Sequence, residues 1–224
     1  MLAEAGLAEP LEPGAKLCMY PLSLPLSESR SEERRPGLQK KLIDALADAS
    51  FEVADPAAVE ALEERVRRES GGFVDSVMGQ RDGPRFLAYR GRLADALRAD
   101  LGCDAQLYAS VVSLRAFFIE GLARWDGTTQ RVSSVGRIVM NAIAGVHESG
   151  WVGAFSLWLR VTDLLGDDIA FRSAGIETPM QLAVVEDRDV VPEDRWLTDE
   201  ARLDNAIRSA LGPGGAALRS DGRP

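Results

Sequence analysis

His147 is the single imidazole of this 224-residue chain, and it stands in Val146-His147-Glu148-Ser149-Gly150. An imidazole with a carboxylate at hand is material for general acid–base catalysis, and a serine or cysteine delivered to it would become a nucleophile. Ser149 is too near along the chain for the usual triad geometry, so such a site needs a distant partner. A polar loop histidine is the simpler reading of the same residues, and His147 is expected to be one. Other catalytic signatures are missing from the sequence: no GxxxxGK[ST], no GxGxxG after a strand, and no GxSxG. Gly71-Gly72 reads as a helix stop and Gly214-Gly215 as part of a tail. Neither makes a phosphate cradle.

Cys18 and Cys103 have no metal-ligand spacing, and with one histidine they cannot supply a tetrahedral zinc site. Both sit in apolar strand-like surroundings, where a free cysteine behaves as a small core hydrophobe; a single disulfide is the alternative. The acidic tract Glu186-Asp187-Arg188-Asp189 to Glu193-Asp194 lacks a calcium-loop framework and reads as a solvated face. Asp126, Asp163 and Asp167 stand at turns, where aspartate bonds its own backbone. No catalytic residue, metal site or cofactor is expected.

The aromatic residues point elsewhere. Phe117 and Phe118 open a stretch of some thirty residues, 117–149, that separates two clear strands and is expected to carry an interaction surface; this is well beyond the ~4–6 residues of an ordinary connection. Trp125 precedes an Asp126-Gly127 turn, and Ile138 to Ile143 add more apolar bulk than a solvated loop carries. Trp151 and Trp158 fall on opposite faces of one strand, so one can be core while the other meets a covering helix or a partner. The candidate interface is therefore Phe117, Phe118, Trp125, Asp126, Gly127 and Trp158, with Trp125 held at the hairpin tip as the anchor.

The composition excludes further classes. Asp and Glu outnumber Lys and Arg by 35 to 26, giving a net charge of -9. Nucleic acid is disfavoured because phosphate binding needs clustered Lys and Arg, and an anionic membrane surface repels such a chain. No run approaches the ~20 apolar residues of a membrane span. Met1 to Pro10 carries acids where a signal peptide needs a basic start, and Lys16-Leu17 spoils a lipid-attachment site at Cys18. The chain is thus expected to be cytoplasmic unless a leader is missing.

The elements that would position these residues can be read in order. Residues 1–14 form a flexible leader, 15–212 one domain, and 213–224 a disordered tail. A strand at Lys16–Pro25, interrupted at Pro21, is followed by a charged loop at Ser27–Arg35. Leu38, Leu42, Leu46 and Ala49 predict a helix over 37–49. Phe51 to Ala54 is a strand, Asp55-Pro56 starts a helix carrying Val59, Leu62 and Val66, and Pro84 starts another that ends at Gly102. Ala105–Phe118 is apolar on both faces and predicts a central strand. A short helix falls within 135–143. A hairpin then runs through Asp163–Asp167, and a last helix capped by Thr198 stops at Gly212-Pro213. The order β-α-β-α-α-β, then a β-hairpin and a C-terminal helix, predicts an α/β domain. Its mixed β-sheet should be parallel in the first half and antiparallel in the second, with helices covering it.

Three segments resemble a set of bacterial envelope proteins that includes the curli-secretion lipoprotein CsgG, the peptidoglycan-synthase activator LpoB and the N-terminal domain of TolB. They are Lys16–Pro25 with Leu38–Val53, Cys103–Val112, and Ala154–Asp167 continuing to Gly175. The resemblance spans about residues 15–212. It implies a non-catalytic accessory protein, periplasmic or outer-membrane-associated, that binds a protein partner or forms a homo-oligomer. A cytoplasmic hydrolase or transferase using His147 with a carboxylate, and a small-molecule-binding α/β domain, are the alternatives.

Overall fold

Five strands form the frame: β1 (Lys16–Met19), β2 (Glu52–Ala54), β3 (Ala105–Ile119), β6 (Ser149–Thr162) and β7 (Asp168–Glu177). They appear in a computed structural model that describes residues 11–71, 82–145, 147–181 and 189–219. β1 lies between β2 and β3 and runs parallel to both. β3 pairs antiparallel with β6 along its whole length, and β6 with β7. The sheet is therefore mixed, as its βαβ opening and hairpin close require.

Two helical layers cover it. α1 (Glu28–Asp48), α5 (Glu200–Leu211) and the short α6 (Ala216–Arg219) bury Leu42, Leu46, Leu203, Ile207 and Leu218 against Leu17, Met19, Leu107 and Leu159. On the other face, α2 (Pro56–Glu69) and α3 (Gly83–Leu101) pack Val59, Leu62, Leu93 and Leu97 over Cys18 and Ala54. Alternation along β1 divides Leu17 and Met19 from Cys18 and feeds both cores from one strand. Asp55 caps α2 by accepting from the Ala57 amide at 3.1 Å, with Pro56 at the first helical position.

Several expectations need correction. α1 begins at Glu28, so Glu28–Arg35 is helix and not loop, with Ser27 at its N-cap; its Glu and Arg residues are good helix formers, and Pro36 sits exposed within the helix. β1 ends at Met19 because Pro21 breaks the ladder, which resumes only as a bridge from Ser23 to Ser110. α5 is capped by Asp199, whose carboxylate accepts from the Arg202 amide, and not by Thr198. The tail is ordered as far as α6, with Leu218 fully buried. Leu11, within the expected leader, is also buried; residues 1–10 lie outside the described ones, as do Glu186 to Arg188 of the acidic tract.

The thiols are not free. Cys18 and Cys103 form a disulfide with their Cα atoms 5.6 Å apart, and both are fully buried. It pins β1 to the segment between α3 and β3.

Candidate interaction face

The long excursion is folded. β4 (Leu122–Trp125) and β5 (Thr128–Arg131) form a hairpin, then come α4 (Val135–Ala144) and the return into β6. Asp126 and Gly127 both take positive φ, at 39° and 72°, which is the backbone of a two-residue hairpin turn. β4 pairs with β3, and β5 pairs with β4. The hairpin curls until it meets β7: the Gly175 amide donates to the Asp126 carbonyl at 3.0 Å, and Thr128 Oγ1 donates to the Gly175 carbonyl.

This curl decides where the aromatic residues go. Buried positions on β3 switch parity, from Leu107, Ala109 and Val111 near the helices to Ala116 and Phe118 at the far end. Phe118, Ala123, Trp125, Val132, Val152 and Ala154 form a separate small core inside the curl. Trp125 is 8% exposed and its indole N–H donates to the Phe155 carbonyl at 3.1 Å. Gly175 makes room for it, since a Cβ there would lie 2.6 Å from the indole nitrogen. Trp125 is therefore a core residue and not an exposed anchor. The turn is where it was expected, but in β4 Ala123 and Trp125 point inward while Leu122 and Arg124 point outward. Phe118 is core for the same reason.

Of the remaining candidates, Gly127 is exposed at the turn, and Asp126 is half-buried with its carbonyl holding Gly175. Trp158 is partly exposed on the opposite face of β6 from Trp151, edge-on to Phe171 with ring centres 5.4 Å apart. The two tryptophans fall on opposite faces as expected, and neither is core. Phe117 alone lies on an exposed apolar stretch of the sheet. It is 41% exposed and stands edge-on to Trp151 at 5.2 Å; Trp151 is 58% exposed.

Residues overlooked in the sequence complete that face. Directly paired residues on antiparallel strands share a side. Trp151, Phe117, Arg124 and Thr129 thus form one row across β6, β3, β4 and β5, and Ser149, Ile119, Leu122 and Arg131 form the next. Ile119 and Leu122 are exposed, as are Met140 and Ile143 on nearby α4. The available signal was the polar turn of the odd positions at Ser113 and Arg115, which marks where the buried side of β3 changes.

His147 lies elsewhere, 90% exposed at its side chain, with Nδ1 3.3 Å from Glu120 Oε1. Among the described residues no serine or cysteine bonds its ring. Beside it a pocket of about 400 Å³ is lined by Glu120, Ser133, Ile138, Asn141, His147 and Glu148. Arg137 holds Glu148 through two nitrogens at 3.0 and 2.6 Å, and Asn141 adds a third bond at 2.9 Å. Hydrogen bonding from Arg137 lowers the Glu148 carboxyl below its usual range. Among the described residues no group of three or more His, Cys, Asp or Glu could hold a metal ion, and no helix is long and apolar enough to cross a membrane.

No protein-family model matches the chain, and neither does any curated protein. Solved structures give fainter likenesses. Lipoprotein GNA1162 from Neisseria meningitidis is 15% identical over 88% of this chain and 95% of its own, with a TM-score of 0.38. A neuraminyllactose-binding hemagglutinin homolog from Helicobacter pylori is 15% identical over 96% of this chain and 84% of its own, with a TM-score of 0.32.

Proposed function

We propose that this chain is a non-catalytic accessory protein of the cell envelope that works by binding other proteins or further copies of itself. The observation that carries the reading is the Cys18–Cys103 disulfide. Disulfides persist in oxidising compartments such as the periplasm and are rare where glutathione and thioredoxin keep thiols reduced. A binding role is supported by Phe117, Ile119, Leu122 and Trp151, which lie exposed on adjoining strands when most apolar bulk of the chain is buried. The three sequence segments that resemble envelope proteins agree with both halves of the reading.

The test is the thiol state in the native cell. Cells are quenched in acid, free thiols are alkylated, and the chain is weighed by mass spectrometry. Two unmodified cysteines joined to each other are expected. Two alkylated cysteines would place the protein in a reducing compartment and remove the envelope assignment.

A further inference from the structure

The rows that carry Trp151 and Ile119 also carry charge of a single sign. Arg124 stands beside Phe117, Arg131 beside Leu122, and Arg115 precedes Phe117 by two residues on β3, which puts it on the same side. All three arginines are exposed, and none makes an ion pair with a described residue. Neither row contains an aspartate or glutamate. In a chain of net charge -9 such a face is an exception that bulk composition does not produce.

We propose that this outer face of β6, β3, β4 and β5 is the docking surface for an acidic, apolar segment of a protein partner. The inference rests on the protein-binding reading above and names the chemistry of what is bound. Guanidinium groups set among aromatic and aliphatic side chains match carboxylates interleaved with apolar residues, because Arg bonds carboxylate through two parallel N–H groups. Arg, Trp and Phe are also enriched at protein interfaces, where Lys is depleted, and this face has no lysine. A groove of about 580 Å³ adjoins it, lined by Arg115, Trp151, Gly153 and Met180. Gly153 presents bare backbone to this groove, and Met180 Sδ lies 3.7 Å from where a Cβ would stand. One apolar side chain of the partner fits this groove while its carboxylates meet Arg115 and Arg124. An extended segment suits the spacing, as alternate residues repeat every ~6.6–6.8 Å, the same repeat that separates Arg115, Phe117 and Ile119. Anionic lipid and nucleic acid are less suited, because three arginines must then overcome the repulsion of the whole acidic molecule.

The experiment uses the full chain and two peptides of about ten residues, one alternating Glu with Leu and the other Lys with Leu. Binding is followed by fluorescence polarisation in salt from about 0.05 to about 0.5 M. The Glu peptide should bind, weaken as salt rises, and outbind the Lys peptide. Combined Arg115→Glu, Arg124→Glu and Arg131→Glu should weaken the Glu peptide about tenfold or more and favour the Lys peptide. If that variant fails to fold by circular dichroism, the three Arg→Gln changes replace it and should weaken the Glu peptide in the same direction. Equal binding of both peptides, or a Glu peptide indifferent to these changes, overturns the proposal. So does either of two other losses in the same variants: co-sedimentation with vesicles of about 30% phosphatidylglycerol, which would make the occupant a lipid surface, or self-association in the ultracentrifuge, which would make it a second copy. Where the Glu peptide fails but Trp151→Ala still abolishes a cross-link to a native envelope protein, the acidic occupant is wrong and the protein-binding reading stands.

Discussion

Trp125 holds the far end of the sheet, since it fills the small core and bonds the Phe155 carbonyl across it. Trp125→Ala should lower stability by about 3–5 kcal/mol, read from the midpoint of denaturant unfolding, because a large aromatic leaves both lost contacts and a cavity. Gly175→Ala should cost about 1–3 kcal/mol by forcing a methyl group against the same indole. Glu177 behaves differently. It is 7% exposed, and burial raises its carboxyl above the usual carboxylate range even though the Leu197 amide and Arg202 favour the charge. A folded value above the unfolded one means that stability falls as pH rises from about 4.3 through the folded pKa. Glu177→Gln should flatten that decline between acid and neutral pH in thermal unfolding; an unchanged profile would show that Glu177 does not cause it. The Trp125-Asp126-Gly127 turn was legible from residue types alone. The side on which Trp125 falls was not, because it depends on how far the hairpin curls toward β7.

Among the elements, sequence and structure agree wherever one rule acts locally. The central strand, the Asp55-Pro56 helix start and the Asp163–Asp167 turn each follow from a period or a cap read within a few residues. The failures have a shared cause. The parity switch along β3 and the pairing of Cys18 with Cys103 are settled by partners 85 residues away or by the closure of the sheet, and neither leaves a local pattern. α1 runs back to Glu28, past the apolar stripe of Leu38, Leu42, Leu46 and Ala49 that marks only its C-terminal half. α4 is tethered to β6 by the Arg137–Glu148 pair, and that pair sets its acid limit. With the carboxyl of Glu148 lowered in the fold, the stabilisation is present above the unfolded pKa of about 4.3 and is lost as pH falls through the folded one. Amide exchange over 137–144 should therefore accelerate, relative to the sheet, on acidification below about pH 4. In Glu148→Gln the pH dependence should vanish.

For the whole molecule, the disulfide closes a loop spanning 85 residues, from β1 past α1, β2, α2 and α3. Its loss should cost about 4.5 kcal/mol on the chain-entropy argument, and reduction before urea titration measures it directly. The disulfide and the two acid-free rows of exposed aromatic and arginine side chains are what the proposed envelope binding role rests on. Site-specific photo-crosslinking in the native cell addresses that directly. A photoreactive amino acid replaces Trp151 in one strain and Arg172, half-buried on β7 away from those rows, in another. A discrete adduct to an envelope protein from position 151, and none from position 172, is the predicted result. No adduct from position 151, or the same adducts from both positions, would contradict it.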